Sequence, residues 1–325
     1  MAAAVGAVPA RRAGSGAAAA RAGAAARARR AAARGAAAAA RPQVGAHALV
    51  FAGGWSEAEC RRAAEGTAAA GFDILEVPLL DPWGVDAEMT RRVCAEAGVT
   101  PTTSLGLKLG SDINSDDTDE VAAGEALLNA ALDATGKMGA KVMCGVIYSA
   151  LHKYGGVQTP AARANMVGAL QRLARRADDL GITLGLEPVN RYETNACNTA
   201  KDCKALCEEV GGATCVVHLD SYHANIEESS MAQAVADAGD RLGYVHVGES
   251  HRGALGEGQA DLAALLAALN DSGYSGPLVF ESFSRKVVSA DLSDALAVWR
   301  SPPGWTDSDT LAVNAREYIR RHAQR

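Results

Sequence analysis

The chain has 325 residues, 48% of them hydrophobic, and a formal net charge of −6. Eight arginines and no acid lie before residue 42, so the remainder carries about −14; an acidic body without a basic patch excludes sequence-independent nucleic-acid binding. No apolar run is long enough to span a bilayer, and the seven cysteines lack the Cys-x-x-Cys pairing of a structural zinc site, which leaves scattered reduced thiols in an intracellular protein.

The first segment is Ala, Gly and Arg, with Arg11, Arg12, Arg21, Arg27, Arg29, Arg30, Arg34 and Arg41 and a first acid at Glu57. An Arg-rich, acid-free stretch without a continuous apolar core fits an organelle transit peptide, plastid or mitochondrial, rather than a secretory signal. Residues 1–45 are therefore expected to be a leader, and 46–325 one catalytic domain of about 280 residues, a usual size for a single barrel. A leader carrying no address would leave the protein in the cytoplasm.

From residue 46 onward strands and helices alternate. HALVFAGG (47–54) reads as a strand and 56–71 as a helix, with Ser56 and Glu59 at capping-box spacing. Strand 72–79 leads to helix 85–98, strand 100–107 to helix 118–139, and strand 140–149 to helix 160–181, opened by Pro160 in its first turn. Strand 183–189 precedes a helix near 199–210, strand 215–219 a helix near 229–239, and strand 242–248 helix 260–270. Strand 277–283 and a final helix at 307–322 complete the set. Eight near-continuous apolar strands separated by helices predict an α/β fold, a (β/α)8 TIM barrel with its parallel sheet covered outside. No Gly-x-Gly-x-x-Gly turn follows the first strand, which weakens a doubly wound sheet.

Four of these strands close on a metal-type side chain: Glu187 in TLGLEPVN, Asp220 in CVVHLD, His246 in LGYVHVGE and Glu281 in GPLVFES. A buried carboxylate is costly unless it is paired or binds a metal. Successive members stand 33, 26 and 35 residues apart, room for one strand, loop and helix each, so all four are expected at the C-terminal mouth where barrel active sites gather. Three carboxylates and an imidazole suit Mn²⁺ or Mg²⁺ better than zinc. Asp220 and His246 read as pure ligands, whereas Glu187 and Glu281 could also move protons.

Other polar residues carry weaker readings. Glu76 ends the second strand and fits either a mouth-lining role or a structural ion pair. His218 reads as a packed core residue and His251 as solvent-exposed. Lys108 and Asp112 follow the third strand and are candidates for substrate contact. Trp55 and Trp83 fit either an apolar wall for a sugar or caps on the barrel, and Trp299 and Trp305 fit packing or an interface.

EPVNRYETN (187–195), HLDSYHANIEE (218–228), HVGESHRG (246–253) and FESF (280–283) together resemble the D-tagatose 3-epimerase (D-psicose 3-epimerase) family of the xylose isomerase-like barrels, often filed as sugar phosphate isomerase/epimerase. The likeness runs over most of the chain after the leader and is densest from 183 to 300; FESF departs slightly from other versions of its motif but keeps the glutamate. The resemblance implies that Glu187, Asp220, His246 and Glu281 hold one divalent ion, commonly manganese, with Mg²⁺ or Co²⁺ as substitutes. It implies that Glu187 and Glu281 are the acid/base pair, and that Glu193, His223 and Arg252 hydrogen-bond a small sugar. Homodimers or homotetramers are the assemblies it suggests.

The chemistry follows from these parts. A ketose carbonyl acidifies the adjacent C–H, a divalent ion stabilises the enediolate, and two glutamates on opposite faces invert C3. The expected activity is a metal-dependent ketose 3-epimerase on free ketoses. The alternatives are an isomerase or epimerase of a phosphorylated sugar, or a hydroxypyruvate-type isomerase; a phosphate needs a backbone nest or basic cluster, and no basic cluster stands out in the loops, although GALGEG (253–258) could form a nest. A nuclease of the same barrel superfamily would need more histidines and a basic groove, and a sugar-binding protein would not need two proton-transfer carboxylates.

Overall fold

The computed structural model describes residues 42–302 and 305–323. The expected leader, residues 1–45, lies almost wholly outside the described residues. The first strand opens at Val44, so the barrel starts just inside that expected boundary.

Eight strands run in chain order: β1 Val44–His47, β2 Ile74–Pro78, β3 Thr100–Leu107, β4 Val142–Ala150, β5 Thr183–Leu186, β6 Cys215–Asp220, β7 Leu242–Val247 and β8 Leu278–Phe280. Each pairs in parallel with the next, and β1 closes on β8 through Val44 opposite Leu278 and Ala46 opposite Phe280. This is the (β/α)8 barrel that the alternation predicts. β1 is shorter and earlier than the 47–54 expected, because a 3-10 turn at Ala48–Val50 takes over where His47 Nδ1 accepts from the Leu49 amide.

The helices are α1 Glu57–Ala69, α2 Ala87–Ala97, α3 Thr118–Lys137, α4 Pro160–Leu180, α5 Ala200–Val210, α6 Ser221–Glu227, α7 Met231–Ala238, α8 Leu262–Asp271, α9 Ala290–Ala295 and α10 Ser308–His322. Their starts are written in the sequence. Ser56 and Glu59 form the expected reciprocal box on α1, and Thr159 caps α4 with Pro160 behind it. Caps of this kind contribute about 1 kcal/mol each. α6 and α9 were not expected; both are short, and α6 is capped by the Asp220 carboxylate, which accepts from the Tyr222 amide.

Among the described residues the core has three clusters, the smallest being Leu49, Phe283 and Val288. The largest lies between the strands and the helix ring, with Leu75, Val77, Leu128, Leu132, Leu170 and Leu266 all buried. A smaller cluster of Ile74, Cys144, Tyr244 and Val279 comes from β2, β4, β7 and β8, strands that can meet only inside the barrel. Above it the interior turns polar: Glu76, His218, Asp220 and His246 are all at most 2% exposed. An interior plugged below and polar above directs function to the C-terminal mouth.

Candidate active site

The barrel ladder fixes the ligand-type residues before any loop contributes. Asp220 is the last residue of β6 and sits in register opposite His246 of β7. Glu187 and Glu281 directly follow β5 and β8, and their amides still bond into the ladder, to Gly145 O at 3.1 Å and to Val247 O at 3.2 Å. Glu187, Asp220 and His246 each offer a ligand atom within 4.8 Å of the others, and Glu281 Oε1 stands 3.4 Å from His246 Nδ1. The four predicted ligands are thus gathered at one place.

His246 shows what that place suits. Its Nε2 bonds Glu76 Oε2 at 2.8 Å, whereas Nδ1 is buried and makes no hydrogen bond among the described residues. Nδ1 faces Glu187 Oε1 at 3.9 Å as well as Glu281. A buried nitrogen without a partner, ringed by carboxylate oxygens and held from behind by a carboxylate, is the arrangement of a metal-ligating imidazole. The residues fit a hard divalent cation, since three of the four donors supply oxygen.

Electrostatics divide the carboxylates. Burial raises Glu187 well above the usual carboxylate range, with Asp220 and Glu281 adding to it against His246. Burial also opposes ionisation of Glu281, but Arg252 and His246 outweigh it and hold that carboxyl well below its usual value. Burial favours neutral His246, yet Glu76 and Glu281 overcome it and raise its pKa. Glu76 is buried too, but His246, His47 and His218 hold it at about 2.

Arg252 ties the mouth together. Its Nη1 bonds Asp220 Oδ2 at 2.9 Å and also pairs with Glu281 Oε2, while Nη2 lies 3.4 Å from His223 Nε2. The guanidinium rests 3.8 Å above the Tyr222 ring, with Phe283 at 5.1 Å. Its backbone φ is +58°, a conformation costing a non-glycine residue about 1–3 kcal/mol, which this many partners sustain.

The three predicted substrate residues converge on the same place. Asn190 organises two of them: its Nδ2 donates to Glu193 Oε1 at 2.8 Å and lies 2.9 Å from His223 Nδ1, which also accepts from the Asn190 amide at 3.2 Å. His223 Nε2 is left facing Asp220, Glu187 and Arg252. A cavity of about 200 Å³ opens over this group, lined by Glu193, Tyr222, His251, Arg252 and Phe283 and walled outside by Leu296–Val298, Arg300 and Pro302.

Several weaker expectations change. His251 is half-buried and lines the cavity rather than facing solvent. Asp112 is fully engaged by the Asn114 and Ala150 amides and the Tyr154 hydroxyl, so it pins loops; Lys108 is exposed. Glu76 takes the buried ion-pair role, and His218 is the packed residue expected, its ring 4.1 Å from that of His246. Trp55 donates to Thr90 at 2.9 Å and packs on the core, Trp305 packs there too, and Trp83 and Trp299 are exposed. Asn190, Tyr222 and Phe283 went unremarked; all three fall inside or beside the motifs that flagged their neighbours.

Relatives align with this chain over nearly their whole length. The xylose isomerase-like TIM barrel family matches residues 64–309. An L-ribulose 3-epimerase of Methylomonas sp. strain DH-1 is 49% identical over 86% of this chain and 98% of its own. A ketose 3-epimerase of Arthrobacter globiformis is 45% identical over 86% and 96%. The crystal structure of a Methylomonas D-allulose 3-epimerase in complex with D-allulose superposes with a TM-score of 0.84 at 48% identity, covering 87% of this chain and 97% of that one. With the barrel, the family match and relatives of this likeness in agreement, the chain belongs to the D-tagatose/D-psicose 3-epimerase family of sugar isomerases.

Proposed function

We propose that this chain inverts C3 of a free ketose of the L-ribulose, D-psicose and D-tagatose class. The observation that carries the reading is the approach of two carboxylates, Glu187 and Glu281, to one unpartnered imidazole nitrogen on His246. Glu187, Asp220, His246 and Glu281 would hold the divalent cation, with Mn²⁺ favoured by the oxygen-rich set and Mg²⁺ or Co²⁺ as substitutes. When bound, the cation supplies Lewis acidity to the negative charge that develops on the sugar oxygens.

The chain's own groups do the rest. One of Glu187 and Glu281 removes the C3 proton and the other returns one to the opposite face, a contribution of about 10²–10⁴-fold. Arg252 lines the cavity and offers it hydrogen-bonding capacity, His223 Nε2 stands behind it facing Glu187 and Asp220, and Glu193, braced by Asn190, accepts a sugar hydroxyl. Phe283 and Tyr222 exclude water beside them. The relatives' substrates support a free ketose over a phosphorylated one.

The test uses the full chain, stripped of metal, with D-fructose, D-tagatose, D-psicose and L-ribulose, with and without Mn²⁺. Mn²⁺-dependent interconversion of C3 epimers is expected. Inertness on all four with turnover of phosphorylated ketoses would overturn the reading.

Two further parts of the reading concern the protein's surroundings. Assembly as a homodimer or homotetramer is supported by large exposed apolar side chains on the mouth loops, Trp83, Leu109 and Val157; light scattering reads it directly. Organelle import is supported by the composition of residues 1–45, and a fluorescent fusion carrying those residues tests it.

A further inference from the structure

One layer below the carboxylate site, inside the barrel, stands a second set of donors of different chemistry. Cys144 of β4, His218 of β6 and His246 of β7 each offer a ligand atom within 4.8 Å of the others, and all three are buried. β5 lies between the first two and contributes Gly185 there. A Cβ on Gly185 would fall 2.8 Å from the Cys144 Cβ and 3.2 Å from the His218 Cβ, so the missing side chain lets Cys144 and His218 meet.

His218 is the unexplained member. It is 0% exposed, and neither ring nitrogen has a hydrogen-bond partner among the described residues; Glu187 Oε2 lies 3.7 Å from Nδ1. A buried imidazole unsatisfied at both ends has given up its hydrogen bonds to water and gained none in exchange. Cys144 Sγ donates to Thr103 O at 3.5 Å, a bond that a metal-bound thiolate would give up.

We propose that Cys144, His218 and His246 form an interior site for a thiophilic divalent cation of the Zn²⁺ type, which competes with the carboxylate site and so inhibits the enzyme. A Cys–His–His set suits zinc, whereas the oxygen-rich set above it suits Mn²⁺ or Mg²⁺. Uptake ionises the Cys144 thiol, whose proton leaves to solvent. The competition arises at His246. Glu76 occupies its Nε2, so one lone pair, on Nδ1, must serve either site. The inhibitory part rests on the reading of His246 as a ligand of the catalytic ion; the interior site itself does not.

Two measurements on the full chain separate these parts. Metal-stripped protein is titrated with Co²⁺, a spectroscopic probe for the zinc class, and the near-ultraviolet band of a thiolate–Co²⁺ bond is followed. The band is expected in the wild type and lost in Cys144→Ala and Cys144→Ser; the second variant preserves volume should the first fold poorly. No band in the wild type, or an equal band in both variants, overturns the interior site whatever the enzyme acts on. Mn²⁺-loaded enzyme is then challenged with Zn²⁺. The Zn²⁺ concentration for half inhibition is expected to rise about tenfold or more in Cys144→Ala, with His218→Gln behaving alike. Equal sensitivity in wild type and variants, with the thiolate band present, overturns the competition.

Discussion

His246 Nε2 and Glu76 Oε2 are 2.8 Å apart, and the contact joins β7 to β2 across the barrel interior. Tyr244 donates to the same oxygen at 2.7 Å and in turn meets Thr102 at 2.8 Å, while His47 lies 3.6 Å from the other oxygen. Glu76 therefore fixes both the orientation of the imidazole and the nitrogen that carries its proton. Removing the charge in Glu76→Gln is expected to weaken Mn²⁺ binding about 10–100-fold, as loss of such a partner generally does. Calorimetric titration checks this, and unchanged affinity would reduce Glu76 to packing.

Glu187→Gln and Glu281→Gln are each expected to lower kcat by about 10²-fold or more, because each removes one half of a proton exchange. Substrate-proton exchange with solvent deuterium is the discriminating readout. A variant that retains exchange at C3 but loses epimerisation has kept one face of the reaction; full activity in either would sink the pair.

The pH dependence of metal uptake follows from the shifted groups. Burial raises Glu187, and Glu76 and Glu281 raise His246 over the opposing effect of burial. Both bind a cation only after losing a proton, so binding is expected to strengthen as pH rises through the range around and above the ordinary histidine value, with protons released. In the metal-free protein the sign for stability is opposite. Groups with raised folded-state pKa contribute stability that is present at low pH and lost as pH rises through the folded value. Metal titrations in buffers of different ionisation enthalpy count the protons, and binding independent of pH would contradict the assignment.

Arg252→Lys is expected to lower kcat/KM. An ammonium cannot hold Asp220 and Glu281 together, reach toward His223 and stack on Tyr222 at once. Loss of stacking alone, about 0.5–2 kcal/mol, corresponds to about a 2–30-fold fall. Steady-state kinetics on L-ribulose checks this, with Tyr222→Leu as the companion that removes only the ring.

Gly145 tests the scaffold beneath Glu187, whose amide donates to the Gly145 carbonyl. Its φ is +110° on β4, and a Cβ there would sit 2.3 Å from the Leu105 carbonyl oxygen. Gly145→Ala is expected to cost about 1–3 kcal/mol for the backbone conformation, with more for the clash. Urea unfolding measures it.

Much of this was readable in the residues. The ligand-type side chains stood out because each ends an apolar run, where an uncompensated charge is penalised, and β3 was found at its observed limits, Thr100–Leu107, since Gly and Thr-Pro punctuate it. β1 was misplaced because Ala48–Phe51 is apolar enough for a strand, and only the His47 side chain's bond to the Leu49 amide shows that the chain turns. α6 and α9 are too short to show a helical period. Glu76 was seen but not resolved: a carboxylate in FDILEVPL announces a buried partner without naming it, and His246 is 170 positions away. Asn190's double grip on Glu193 and His223 was likewise illegible, because an amide in a loop carries no pattern.

The outer wall of the cavity, Leu296–Val298 with Arg300 and Pro302, comes from the stretch after β8, whereas the four ligand-type residues are anchored to strand ends by the barrel ladder. One wall of the cavity is therefore encoded apart from the ligand-type residues and from the sugar-contacting Glu193 and Arg252. Drift or recombination confined to the 289–302 stretch can retune which ketose fits while the inversion machinery is inherited unchanged. One ancestral barrel could in this way diversify into enzymes that differ in diet but not in mechanism.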